Sequence, residues 1–319
     1  MMGSLFIIGN GFDMAHGIPT SYSKFRSFVI DKYPEALKRS DEVVHLEDLK
    51  AIKPDAFAAE ILLSAMDKAA GVNWSNFEEA LADINFDVKL PAANHKEDET
   101  FEEDCRLMQK YMVYMDVLTN KFTNCTKIWQ EFFRLWIKSI EVQIEDGEFA
   151  PKDSLKTLFS QPEVKFLTFN YTKTLQELYG IKKVIHIHNR VGQKLIFGHG
   201  EKDAVYGRNS DKAPNGSFVS SSSLDEMVMS FRKDTEKPMK KYRDFFEKLD
   251  GTIDKVYSYG FSYGKVDSVY IKKIIEKISP DAVWYFTSFE AQNSKELGVK
   301  KVKLRRYGFK GTFDIYDGS

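Results

Sequence analysis

The segment Leu5-Phe6-Ile7-Ile8, followed at once by Gly9-Asn10-Gly11, limits what this chain can fold into more than any other. A strand with one wet face alternates polar and apolar residues, so an unbroken apolar run stopped by a glycine turn suits a strand buried on both faces. Strands of that kind belong to parallel sheets covered by helices, and their carboxyl ends are where such sheets meet ligands. No basic leader precedes the run and no small-residue cleavage site follows it, so it reads as a strand rather than a signal peptide.

Residues 22–160 read as helix almost throughout. Phe57, Ile61, Ala65 and Met66 keep a helical period, as do Leu107, Tyr111, Tyr114, Met115 and Leu118. Trp129, Phe132, Phe133, Trp136, Ile137 and Ile140 continue it. Such an aromatic stripe can line a pocket, but core is the simpler account. From residue 163 the texture alternates. Strands are predicted at 164–169, 184–188, 255–259, 282–287 and 301–306, with 195–198 as a hairpin partner through Gly192. Helices are predicted at 171–179 and 266–278. Another opens near Ser223, where Ser-Leu-Asp-Glu226 has capping-box spacing, after a Gly-, Asn- and Ser-rich loop at 199–222. The expected fold is α/β: a Rossmann-like, mainly parallel sheet with a large all-helical insertion after the first strand. Residues 1–21 and 160–319 would form the nucleotide-binding domain and 22–159 the insertion.

Composition removes several function classes. With 43% hydrophobic and 29% charged residues over 319 positions, the chain is a folded globular protein. Its net charge of −1 gives no global pull toward nucleic acid or anionic membrane. Six basic residues fall in 300–310 and six acids in 97–104, runs that solvated faces explain most simply. The two cysteines, Cys105 and Cys125, exclude a zinc ribbon and a disulfide framework and suit a reducing cytosol. No apolar run approaches the ~18 residues of a membrane span. A cytoplasmic protein is expected.

Four predicted strand ends carry residues that a core would not require. Gly9-Asn10-Gly11-Phe12-Asp13 ends the first, where glycines let backbone approach a phosphate closely. The turn lacks the third glycine of the dinucleotide fingerprint and the Lys-Ser of a P-loop, so a simple strand-ending turn remains open. Asn170-Tyr171-Thr172 ends the second, where Asn170 can bind a ligand or cap the next helix. His186 and His188 end the third and share one face by the period of two. A third metal ligand at matching spacing is lacking. Gly260-Phe261-Ser262-Tyr263-Gly264-Lys265-Val266-Asp267 ends the fourth in a second glycine turn. Glu78 and Glu79 are further acid candidates in the insertion, which a surface helix accounts for more simply.

These segments, with Met14-Ala15-His16-Gly17, Trp74-Ser75-Asn76-Phe77-Glu78, Phe169-Asn170-Tyr171-Thr172-Lys173-Thr174-Leu175, Phe197-Gly198-His199-Gly200 and Tyr259-Gly260-Phe261-Ser262-Tyr263, resemble the AbiH family of bacteriophage abortive-infection proteins. That family is similar in outline to sirtuin-like and deoxyhypusine-synthase-like NAD-binding folds. Gly9-Asn10-Gly11, Thr168-Phe169-Asn170-Tyr171-Thr172, His188-Asn189 and Gly260-Phe261-Ser262 stand where sirtuin-like proteins carry their NAD motifs. Thr172 stands for the second acid, Asn189 for a glycine, and zinc-binding cysteines are lacking, so sirtuin protein deacylation is not implied.

The resemblance implies an antiphage effector that binds NAD or a related nucleotide and hydrolyses its nicotinamide–ribose bond. Asn170 would bind the ribose hydroxyls or the water, and His188 would act as general base. Gly9, Asn10, Gly11, Asp13, His186, Ser262 and Asp267 would hold the nucleotide, with no metal. The 199–222 loop would close as a lid. A phage-derived trigger or a second copy of the chain is the macromolecular partner this allows; membrane and nucleic acid are not expected. Two alternatives stand beside it: a nucleotide-binding sensor without hydrolysis, and a nucleic-acid-targeting effector using residues 300–310 and the basic residues of 232–243.

Overall fold

The computed structural model describes residues 3–38, 50–84, 101–203 and 221–318. Residues 97–100 of the acidic run and 204–220 of the loop expected to act as a lid lie outside them. Six strands form one sheet: β1 (Gly3–Ile8), β2 (Val164–Thr168), β3 (Val184–His186), β4 (Ile253–Tyr259), β5 (Val283–Thr287) and β6 (Thr312–Tyr316), in the order β3-β2-β1-β4-β5-β6. Every pairing is parallel. This is the doubly wound Rossmann order, with its switch point between β1 and β4.

Period-two geometry sends the apolar run of β1 to both faces, and both are covered. Leu5 and Ile7 join Leu167, Val256, Trp284 and Phe286 in one core, with Ile271 and Ile274 of the helix Ser268–Lys277. Phe6 and Ile8 join Phe166, Tyr257 and Tyr259 in the other, with Leu155 and Leu175 from the helices Asp153–Phe159 and Thr174–Tyr179. At about 1.5–3 kcal/mol per fully buried aliphatic or aromatic side chain, neither face can be given to solvent. A cross-strand aromatic ladder ties four strands on the second face. Phe6 stacks on Phe166 at 5.5 Å and on Tyr257 at 4.6 Å, and Tyr257 stacks on Tyr285 at 4.7 Å.

Two expected strands are corrected. Residues 301–306 lie in the helix Ser294–Arg306, which buries Leu297, Lys300 and Leu304 at helical spacing, and the sixth strand is Thr312–Tyr316. Lys300 can be buried because its Nζ lies 2.7 Å from Glu290 Oε1. Residues 195–198 form no strand; Ile196 N–H donates to the His188 carbonyl instead.

The chain divides into two units, one comprising Met1–Ser21, Trp136–Ile196 and Lys233–Ser319, the other Tyr22–Leu135 and Phe197–Arg232. All elements described between β1 and β2 are helices, including Pro54–Ala70 and the 45-residue Phe101–Glu145. The aromatic stripe is core: Trp129, Phe132, Phe133, Trp136, Ile137 and Ile140 are all buried. In the second unit, Phe25 meets Trp74, Phe77 and Phe133 edge-on at 5.4–5.8 Å. Asp67 accepts from the Arg26 guanidinium and from Trp74 Nε1. Glu78 there is half-buried, accepting from the Tyr22 hydroxyl at 2.5 Å and from Gly198 N–H at 3.3 Å, whereas Glu79 is exposed. The helix expected near Ser223 begins at Ser221. Among the described residues no helix is long and apolar enough to cross a membrane.

Candidate functional site

Register aligns Ile8 with Thr168 and Tyr259, and Thr168 with His186, so four strands deliver their following loops to one edge of the sheet. At the switch point the two glycine turns pack backbone against backbone. A Cβ on Gly9 would lie 2.5 Å from the Gly260 carbonyl oxygen, and one on Gly11 2.6 Å from Gly260 Cα. Gly260 itself has φ +61°, the left-handed region glycine enters freely. Gly9 N–H donates to the Tyr259 carbonyl and Gly11 N–H to the Gly260 carbonyl. Two amides of the kind that could face a phosphate thus bond the neighbouring turn. Asn10 donates its amide to the Thr20 carbonyl at 2.8 Å, closing the loop beyond the short helix Asn10–Ala15.

Asp13 comes from that helix and is buried. Thr172 Oγ1 donates to its Oδ2 at 2.6 Å, and Thr174 Oγ1 donates to Thr172 Oγ1 at 3.0 Å. Burial pushes the Asp13 carboxyl up to about 6; Thr172, Thr174 and Asn170 oppose the rise, and Glu141 adds to it. Asn170 is also buried, its N–H donating to Thr168 Oγ1. Its side-chain amide is close enough to Asp13 to favour that carboxylate, yet among the described residues neither Asn170 Nδ2 nor Asp13 Oδ1 has a partner within hydrogen-bond geometry. Glu141 reaches the same segment by accepting from Lys173 N–H at 3.0 Å. Glu141, Glu145 and Glu177 are spaced closely enough to hold a cation, but Lys173 Nζ lies 2.7 Å from Glu145 and 3.2 Å from Glu141 and supplies the positive charge there.

The two histidines have different surroundings. β3 stops at His186, so the alternation expected to put both on one face does not extend to His188. His186 receives a hydrogen bond from Gln176 Nε2 at 2.8 Å on its Nε2 and donates from Nδ1 to the Asn170 carbonyl at 3.2 Å. Burial holds it down at about 4, so it is neutral near pH 7. His188 instead bonds Asp267 Oδ1 through Nε2 at 2.9 Å. Its ring meets Phe169 edge-on at 5.3 Å, Tyr171 at 6.0 Å and Tyr270 at 6.3 Å.

Asp267 is the residue before the helix Ser268–Lys277. Lys233 Nζ lies 3.7 Å from the same Oδ1, with a side chain only 1% exposed. Burial works against the charge on Asp267, but Lys233 and His188 outweigh it and hold the carboxyl at about 2. Ser262 is exposed in the turn. Beside it Tyr263 has φ 57°, an uncommon conformation for a bulky residue. It is held there by Tyr263 Oη donating to Ser258 Oγ at 2.8 Å, Trp284 Nε1 donating to that Oη at 3.0 Å, and Lys303 Nζ donating to the Tyr263 carbonyl at 3.1 Å.

Asp13 and Asn170 therefore meet in one buried network, with His186 on the Asn170 carbonyl, while His188 and Asp267 form a dyad whose ring contacts flank Asn170 on both sides in sequence. Sequence reasoning missed Lys233, Glu141, Gln176 and the Thr172–Thr174 hydroxyls. The threonines lie within a recognised motif; Lys233, which the sequence offers only as one of the basic residues of 232–243, and Glu141 carry no local signal for this site, because only tertiary folding brings them to the edge. No curated protein and no solved structure matches the chain. One family model, described as Bacteriophage abortive infection AbiH, matches residues 5–288. That match covers most of the chain, whose strand-end motifs lie within it, and the chain belongs to the AbiH family of bacteriophage abortive-infection proteins.

Proposed function

We propose that the chain acts in abortive infection by binding a nucleotide, NAD first among the candidates, at the carboxyl edge of β1–β4 and cleaving its nicotinamide–ribose bond. The observation that carries this reading is the pair of buried atoms Asp13 Oδ1 and Asn170 Nδ2, without a hydrogen-bond partner among the described residues, near the switch point of a 3-2-1-4-5-6 sheet. Buried polar atoms are nearly always satisfied; the Asn170 amide favours the Asp13 carboxylate without closing a hydrogen bond to it, and a group that both donates and accepts would complete both atoms. Ribose hydroxyls are such groups. In this reading Gly9, Gly11 and Gly260 set the floor of the site by letting the two turns touch, and Ser262 faces the ligand from the exposed side.

Hydrolysis joins water to the ribose C1′ as the bond to the nicotinamide nitrogen breaks. The bonding electron pair leaves with nicotinamide, and the proton lost by water passes to His188. Fixed dipoles at the site stabilise the developing positive charge on the ribose, with Asn170 orienting the water or a hydroxyl. Purified protein, alone or with extract of infected cells, should release nicotinamide from NAD, measured by chromatography. Asn170→Ala and His188→Ala should each abolish release. Release that survives both substitutions removes the chemistry from this site. NAD that binds and returns intact assigns the sensor reading instead.

A further inference from the structure

Resting on the proposed nucleotide chemistry, we propose that His188 exchanges protons through Nδ1, and that Lys233 is the positioning residue that enforces this through Asp267. The geometry is a bridge. Asp267 Oδ1 lies 2.9 Å from His188 Nε2 and 3.7 Å from Lys233 Nζ, so one oxygen serves both. An ionised carboxylate only accepts hydrogen bonds. His188 must then present N–H at Nε2, and a neutral imidazole has only one N–H, which leaves the lone pair on Nδ1. No described residue makes a hydrogen bond to Nδ1. Phe169, Tyr171 and Tyr270 pack around the ring in the orientation that turns Nε2 to Asp267. A lysine with 1% of its side chain exposed is uncommon outside an ion pair, and here its counter-charge is the carboxylate that orients the base. The low value of Asp267, near 2, agrees with a carboxylate that stays ionised throughout the working range.

The proton lost by water would therefore go to Nδ1, while Nε2–H stays on Asp267 and steadies the imidazolium that forms. Lys233 touches neither the substrate nor the proton in flight. Its removal leaves Asp267 with one cationic partner fewer, which strengthens the dyad's hold on a second proton.

The test uses the full chain labelled with 15N-histidine, in a long-range 1H–15N correlation spectrum at mildly alkaline pH. The His188 signals are assigned by their loss in His188→Gln. The expected spectrum shows Nε2 protonated and Nδ1 bare; a proton on Nδ1 overturns the tautomer assignment whatever the reaction is. Lys233→Met should blur that single-tautomer pattern and lower kcat for nicotinamide release at least ~10-fold with KM changed less than about 2-fold, as expected when a transition-state interaction is lost. It should also move the acid limb of the pH–rate profile upward. Lys233→Arg, which keeps the charge and fold, should retain both pattern and profile. If Lys233→Met does not fold by circular dichroism, Lys233→Gln replaces it. A neutral variant with unchanged pattern and unchanged profile overturns the role of Lys233. Absence of nicotinamide release from the unaltered chain, with the Nε2–H pattern present, overturns the reaction and leaves the proton's position supported.

Discussion

Two aspartates at the same sheet edge, Asp13 buried and Asp267 half-buried, are driven in opposite directions by their neighbours. Asp13 has hydroxyls beside it and a second acid, Glu141, so desolvation wins and the proton is held up to about 6. Asp267 has Lys233 and His188, so charge wins and the proton is lost down to about 2. Their contributions to stability therefore slope oppositely. Between the unfolded value of 3.8 and about 6, the folded chain holds a proton on Asp13 that the unfolded chain has released. Stability from this group falls as pH rises across that window, by up to about 3 kcal/mol in all. Asp267 contributes stability present above 3.8 and lost as pH falls toward 2, on the order of 2 kcal/mol. Urea unfolding from pH 4 to 7 should show Asp13→Asn with a more upward slope than the unaltered chain, because the opposing contribution of His186, held at about 4 in the folded state, is common to both. An unchanged slope would mean that Asp13 makes no such contribution.

Among the elements, β1 is the one on which most depends, because both of its faces and its glycine end are in use. Phe6→Ala removes the ring on which Phe166 and Tyr257 both stack, and should cost about 3–5 kcal/mol in denaturant unfolding. Phe6→Leu should cost clearly less, since it keeps most of the volume. Gly9→Ala puts a methyl 2.5 Å from the Gly260 carbonyl oxygen, and Gly260→Ala puts one 2.4 Å from Gly11 Cα. Each should lower stability by about 1–3 kcal/mol or more, the usual range for overpacking, and Gly260→Ala adds strain at positive φ. Additive losses in the double variant would mean that the turns do not share this contact. The helix Ser294–Arg306 shows where element reading fails. Val302 and Leu304 alternate with basic residues as a strand would, yet Val302 is exposed and Leu304 buried because the period is helical. A short apolar alternation fits either period, and only the partners Glu290 and Tyr263, which take up Lys300 and Lys303, decide it. The basic run also covers aromatic surface: Arg305 lies over Phe313 at 4.5 Å and Lys301 over the same ring at 5.6 Å.

For the whole molecule, nucleotide binding and stability are linked. A ligand present at about 100 times its dissociation constant should raise stability by about 2.7 kcal/mol, read as an upward shift in thermal unfolding with NAD. Asn170→Ala should abolish the shift while leaving the unliganded transition close to its original position; an equal shift in that variant would place the nucleotide elsewhere. The α/β class, the helical stretch after β1 and most strands were legible in the sequence, because a run buried on both faces and the switch from period two to period 3.6 are local signals. Asn170, His188 and Asp267 were legible as polar residues at strand ends. What joins them was not. Asp267 is 79 residues from His188, and Lys233 stands in the sequence only as one of the basic residues of 232–243, so their meeting depends on a strand order that brings β4 beside β1. The protonation of Asp13 and the direction in which His188 faces likewise depend on burial and on neighbours far along the chain. Local patterning determined which elements this protein forms; desolvation and charge, which exist only once those elements pack, decided what its edge residues can do.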